Sequence, residues 1–213
     1  PFKRFIEIWL YLLLILIIFI VFVGGLTRLT DSGLSITEWE LFSGIFPPLN
    51  NEMWNVYFDL YKKIPEYNEV NLNMSLSEFK VIFYWEYGHR LIARLIGLIS
   101  IIPLIYLFFK FKDLRNKIFK YFVIFSLICV QGLLGWFMVS SGLIDNLDVS
   151  HYRLALHLGT AFIILSIIFW FILENLEIKK FENTVPQLFL TIFLFFIFLQ
   201  IILGAFLAGL NGG

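Results

Sequence analysis

Residues 85–97 read W-E-Y-G-H-R-L-I-A-R-L-I-G, so a helix on its way into an apolar segment carries Glu86, His89, Arg90 and Arg94 before its hydrocarbon run resumes. Residues three and four apart share a face of an α-helix, which puts Glu86, His89, Arg90, Ala93, Arg94 and Gly97 on one broad side. Ionisable groups inside a membrane span are costly and point by preference to a bundle interior or an aqueous cavity. That side is expected to face protein and to be functional. Ala93, Gly97 and Ser100 continue it inward with small residues, which would let another helix or a flat ligand approach closely.

The composition around this stretch places the chain among integral membrane proteins. Hydrophobic residues make up 60% of the 213 positions, Phe alone 26 of them, and charged residues only 15%, outside the range of soluble domains. A net charge of zero gives no expectation of nucleic-acid binding or of a polybasic surface tether. With a single cysteine, Cys129, neither an internal disulfide nor a cysteine-based zinc or iron–sulfur site can form. The plainer reading of Cys129 is a buried small hydrophobe in the third span. The chain begins at Pro1 and stops at Gly213 directly after an apolar run, and it is expected to be a fragment.

Five apolar runs are long enough to cross a hydrocarbon core of about 30 Å at 1.5 Å per residue. They cover residues 8–26, 82–109, 121–139, 152–173 and 185–207. The first lacks the short apolar core and small-residue cleavage site of a signal peptide. Pro103 is expected to kink the second run mildly, because it removes a backbone donor. Between the first two, residues 27–80 form a long polar connection rich in Trp and Tyr. Such connections are usually functional or disordered, and the aromatics favour order at the headgroup level. Short interfacial helices are expected near residues 52–63 and 75–83, the second starting at the capping pattern Ser75-x-x-Glu78.

Lys110, Lys112, Arg115, Lys117 and Lys120 make a basic loop after the second span, whereas residues 141–150 carry Asp145 and Asp148 and no Lys or Arg. By the positive-inside rule the basic loop, the N-terminus and the loop with Lys179 and Lys180 are cytoplasmic, or face a mitochondrial matrix, and the long connection is outside. Spans two and four then both run from outside to inside. His89 lies about seven residues into one and His157 about five into the other, each about 8 to 10 Å below the outer edge. Two histidines at one depth can share a ligand.

A histidine pair of this kind suits a haem whose iron takes imidazole from one or both sides, and Arg28, Arg90, Arg94 and Arg153 suit its carboxylates. The plainer readings are two hydrogen-bonded histidines in a bundle, and arginines that pair with Glu86 or reach for headgroups. A diiron carboxylate site would need a second Glu-x-x-His and further in-span glutamates; neither is present. His151, at the mouth of span four, reads as an interfacial residue. Glu86, one turn before His89, could act as proton acceptor, electrostatic stabiliser or nucleophile. Weak internal similarity matches Gly24 and Gly33 to Gly204 and Gly213, as in membrane folds with internal repeats. Gln131 with Gly135 and Gln200 with Gly204 repeat a Q-x-x-x-G pattern, read as helix packing.

Assembled, these stretches resemble the haem A synthase family, which makes the haem of cytochrome oxidases. The matching segments are G-G-L-T-R-L-T-D-S-G-L-S-I-T-E-W (24–39), P-P-L-N (47–50), E-F-K-x-I-F-x-W-E-Y-x-H-R (78–90), Q-G-L-L-G-W (131–136) and Y-R-L-A-L-H-L (152–158). The long first loop without a cysteine pair is similar to the alphaproteobacterial and mitochondrial branch. The resemblance implies an all-α membrane protein of eight spans in two pseudo-equivalent four-helix halves. Residues 1–180 would form the N-terminal half, with its outer loop at 27–80, and 181–213 the first span of the second. It implies that a ring methyl of haem O is oxidised to a formyl group. His89 and His157 would be the iron-binding pair for that substrate and Glu86 the carboxylate essential for turnover. Haem b would sit as cofactor in a C-terminal half beyond this chain, so the 213 residues alone need not be active. Expected partners are haem O, haem O synthase, an electron donor and the lipid bilayer, with homo-oligomers compatible. The expected location is the bacterial plasma membrane, or the mitochondrial inner membrane in a eukaryote. Two other classes stay open on the residues alone: a b-type haem electron-transfer subunit, which has no need of Glu86, and a small-molecule transporter lined by Glu86 and the arginines.

Overall fold

The computed structural model describes residues 2–39, 43–143, 147–176, 185–210 and 212. Asp145, Lys179, Lys180 and Gly213, used above for topology and repeats, lie outside the described residues. The described chain is all-α, with eight helices: α1 (Phe2–Leu29), α2 (Asn51–Tyr61), α3 (Pro65–Glu69), α4 (Leu76–Lys110), α5 (Arg115–Phe119), α6 (Phe122–Val139), α7 (His151–Asn175) and α8 (Gln187–Gly209). Five of them, α1, α4, α6, α7 and α8, are long and apolar enough to cross a membrane, which makes this a multi-pass membrane protein.

Four of the five close a bundle: α1 packs on α4 and α7, and α6 packs on the same two, while α8 lies outside against α7. The bundle core is aliphatic, with Leu10, Leu13, Leu104, Leu107, Ile124 and Ile168 sealed from solvent. The expectation of a buried Cys129 is corrected: it is exposed on α6 beside exposed Val130 and Leu133, an apolar surface that suits lipid. Pro103 sits inside α4 and leaves the Ile99 carbonyl without its helical donor. That carbonyl instead accepts a hydrogen bond from Trp9 Nε1 at 2.7 Å. In a membrane an unmet carbonyl is expensive, so the proline that loosens α4 also ties it to α1.

The α4 helix has 35 residues, about 50 Å at 1.5 Å per residue, which exceeds the hydrocarbon thickness by several turns. Its first turns project from the bundle and carry a second core. There Trp54, Phe58 and Tyr61 from α2 and Ile64, Leu34 and Ile36 from the loops pack on Phe79 and Phe83. The aromatics of the long connection thus build an ordered cap, with edge-to-face contacts such as Trp54 to Phe83 at 4.9 Å. The expected interfacial helix near 52–63 is α2, capped by Asn50, whose side chain accepts from the Met53 N–H. The expected second one is corrected: residues 75–83 are not a separate helix. The Ser75/Glu78 capping box starts α4 itself, and no proline follows until Pro103 to break it.

Beneath the cap, Glu66 is 7% exposed and accepts from the Tyr61 hydroxyl at 2.9 Å, which in turn accepts from Asn71 Nδ2. Burial pushes its carboxyl up to about 7 against the pull of the Tyr61 hydrogen bond, and the charges of Glu86, Asp148 and Asp31 add to the rise. A folded-state pKa above the unfolded one means that this group favours the fold below the unfolded value and loses that contribution as pH rises through about 7. The thermal midpoint of the detergent-solubilised protein should therefore fall between pH 5 and pH 8, by a change in stability on the order of 2 kcal/mol. Glu66→Gln should flatten that dependence; an unchanged slope in the variant would assign it to another group.

Candidate functional site

The site lies where the bundle meets the cap. Glu86, 3% exposed, stands on α4 at this junction. Its Oε2 accepts from Ser35 Oγ at 2.7 Å and from the Ile36 N–H at 2.8 Å, and its Oε1 accepts from Arg90 Nη2 at 2.6 Å. The arginine is one turn further along the same helix, close enough for an ion pair, and its side chain is 13% exposed. Arg90 also donates to the Ile36 and Glu38 carbonyls and lies over the Trp39 ring. The segment from Ser35 to Trp39 is therefore strapped to the bundle mouth through a single buried ion pair. Each carboxylate oxygen has two lone pairs, so Oε2 is fully engaged while Oε1 keeps one lone pair beyond Arg90.

The two histidines sit below this strap. His89 presents Nε2 to α1: a Cβ added to Gly24 would lie 3.1 Å from that nitrogen. His157 presents its Cε1 edge to α6, where a Cβ on Gly135 would lie 3.2 Å away. Each imidazole thus occupies the room that a glycine leaves on the neighbouring helix. The helices α4 and α7 are the second and fourth of the five long apolar helices, so in an up-and-down bundle they run the same way.

The expected protein-facing side of α4 is corrected at Ala93. Residues 86, 93 and 100 are spaced seven apart and share a face, and Glu86 and Ser100 are buried, yet Ala93 is exposed. The α4 surface is therefore open for about one turn between two sealed ones, at the level just inward of His89. Imidazoles from two helices, a glycine against an edge of each and an exposed Ala93 one turn inward of His89 fit a flat, iron-containing ring.

The arginines are distributed around this mouth. Arg94 and Arg90 line a narrow cleft under the cap with Ile36, Tyr57, Phe83 and Tyr87. Arg28, at the end of α1, pairs with Asp31 at 3.1 Å and Asp148 at 3.3 Å and donates to the Ala208 carbonyl of α8. Arg153 donates to the Phe137 carbonyl and lies 3.8 Å over the Phe137 ring. His151 is turned to α8, where it packs against Gly209 and Phe206.

Gln131 was read from the sequence as a packing residue. In the structure its Nε2 donates to the His157 carbonyl at 2.8 Å and lies 3.2 Å from His157 Nδ1. The usable signal was its spacing of four from Gly135, which puts both on the α6 face that receives the imidazole. The matching Gln200 and Gly204 on α8 are exposed, and a Cβ on Gly204 would meet nothing within 4 Å.

Comparison with known proteins agrees with this geometry. Residues 7–213 match the family described as cytochrome oxidase assembly protein. Heme A synthase of Pelagibacter ubique is 59% identical over 210 residues, which are 99% of this chain and 62% of that protein. Heme A synthase of Rickettsia bellii is 45% identical over 96% of this chain and 62% of its own length. Heme A synthase of Flavobacterium johnsoniae is 45% identical over 99% of this chain and 63% of its own length. The chain thus spans less than two thirds of the length of these relatives. No solved structure matches it. A four-helix bundle with a paired-histidine mouth, matched to one family over nearly its whole length, belongs to the cytochrome oxidase assembly protein family.

Proposed function

We propose that this chain is the haem O-binding part of a haem A synthase, an oxidoreductase that converts a ring methyl of haem O to a formyl group. The observation that carries the reading is the pairing of His89 and His157, each seated on a glycine of the adjacent helix, with an open stretch of α4 at Ala93. The names of the relatives, heme A synthase, support the same product.

On this reading His89 and His157 bind the substrate iron and fix the ring in the bundle mouth. Iron supplies the redox chemistry, with electrons and oxygen exchanged with partners outside this chain. Arg90 and Arg94 meet the substrate carboxylates from the cleft under the cap, and Arg153 and Arg28, the latter shared with Asp31 and Asp148, stand around the rim. Glu86 holds Arg90 and the Ser35–Ile36 strap in place and offers the remaining Oε1 lone pair to a proton. The cap limits water at the mouth, which strengthens each of these charges. Residues 1–180 form the substrate half and α8 opens a second half that holds haem b. The proposed location is a bacterial plasma membrane, and the basic residues from Lys110 to Lys120 support a cytoplasmic position for their end of the bundle. Haem O synthase and an electron carrier are the proposed partners.

The test is chromatography of haems extracted from cells that express a haem O synthase with the full-length protein. Haem A is expected. Haem O left unchanged beside a folded, haem-loaded protein would replace this reading with that of a b-type electron-transfer subunit.

A further inference from the structure

The Gln131 carboxamide faces one imidazole with more hydrogen-bonding capacity than packing requires. Its NH2 group donates to the His157 carbonyl at 2.8 Å, and that carbonyl can only accept, so the amide nitrogen is fixed on this side. The same nitrogen lies 3.2 Å from His157 Nδ1, and an NH2 group has a second hydrogen to give. In the neutral ring Nδ1 is then the acceptor, and the ring proton is on Nε2. The Oε1 atom of Gln131 is buried and, among the described residues, has no hydrogen-bond partner. Gly135, one turn further along α6, leaves the room in which the ring edge sits.

A neutral imidazole that carries its proton on Nε2 cannot offer Nε2 to a metal. To do so the ring proton must move from Nε2 to Nδ1, and a proton on Nδ1 then needs an acceptor. The only other polar atom of the neighbouring carboxamide is Oε1, the one without a partner. Metal-bound histidines characteristically donate their second N–H to such an acceptor, which fixes the tautomer and strengthens the ligand.

We propose that Gln131 is the positioning residue of His157, holding the unliganded imidazole in its Nε2–H form and turning its carboxamide so that Oε1 accepts the Nδ1–H when iron is bound. The proposal rests on the histidine pair being the haem ligands. It gives the Q-x-x-x-G pattern of α6 a role that helix packing alone does not explain, because packing needs the glycine but not a part-buried amide aimed at an imidazole.

The full-length protein, labelled with 15N-histidine and free of haem, tests the first half. His157 should give an unprotonated, hydrogen-bonded Nδ1 signal. Gln131→Leu should replace it with a mixture of tautomers, and Gln131→Glu, whose carboxylate only accepts, should move the proton to Nδ1. Titration with iron protoporphyrin tests the second half. Gln131→Leu should weaken binding about tenfold and raise the reduction potential relative to Gln131→Glu, which should bind at least as tightly as the unsubstituted protein. A folded Gln131→Leu with unchanged affinity and unchanged nitrogen signals would overturn the proposal. So would a Gln131→Glu protein with the potential of the unsubstituted one. His157→Ala separates the two levels: retained affinity there removes the histidine-pair reading and this one together. Loss in His157→Ala with none in either Gln131 variant removes this one alone.

Discussion

Replacing Glu86 with alanine should destabilise the protein by about 3 to 5 kcal/mol, the usual cost of leaving one partner of a buried ion pair alone. Arg90, Ser35 Oγ and the Ile36 N–H all lose their acceptor at once. The cap should detach from the bundle mouth, which limited proteolysis of residues 30–75 would report. Ser35→Ala, which removes one neutral donor, should cost only about 1 kcal/mol. A double change of Glu86 and Arg90 to methionine should recover part of the loss, since an apolar pair leaves no buried charge unmet. Conversion of haem O should vanish in Glu86→Ala for this structural reason alone, so the informative variant is Glu86→Gln. It keeps the shape and the Oε2-side contacts while an NH2 group replaces Oε1, which removes the charge and the proton-accepting lone pair and leaves Arg90 held by the Ile36 and Glu38 carbonyls. Conversion there should fall by at least about a hundredfold with the cap still protected from protease. Near-normal conversion in Glu86→Gln would reduce the carboxylate to a cap anchor.

Loss of either imidazole should have the second large effect. On the proposed function, His89→Ala and His157→Ala should each abolish haem A formation and lower haem content, because each removes one of the two proposed iron ligands and leaves a glycine facing a hole. The cap strap does not involve either ring, so both variants should keep the protease protection that Glu86→Ala loses. That contrast separates ligand loss from unfolding. Full haem content and full conversion in both single variants would refute the paired-histidine site.

Much of this architecture was readable before any coordinates. Five runs of apolar residues marked the five long helices to within a few residues at most ends, because a hydrocarbon layer fixes both length and composition. His89 and His157 stood out because ionisable groups are rare inside such runs. The start of α4 was less legible. Ser75 and Glu78 signalled a helix, but the hydropathy change near residue 82 suggested a break where the backbone has none. Helix continuity depends on backbone hydrogen bonds and caps, whereas hydropathy reports only the solvent around the side chains.

The partners of Glu86 and Gln131 lay beyond the sequence for a different reason. Their partners are distant along the chain: Ser35 and Ile36 are about fifty positions from Glu86, and His157 is twenty-six from Gln131. Spacing along one helix identifies which side chains share a face, but not which atoms of another element meet them. The sequence by itself determined the class of the molecule, its spans and the residue types at the mouth, since these follow from local periodicity and transfer energy. Tertiary structure alone decided that Glu86 fastens the cap, that Gly24 and Gly135 make room for the two imidazoles, and that Ala93 lies open one turn inward of His89. Each of these depends on the packing of four helices and a cap around one point, and no stretch of chain encodes that point alone.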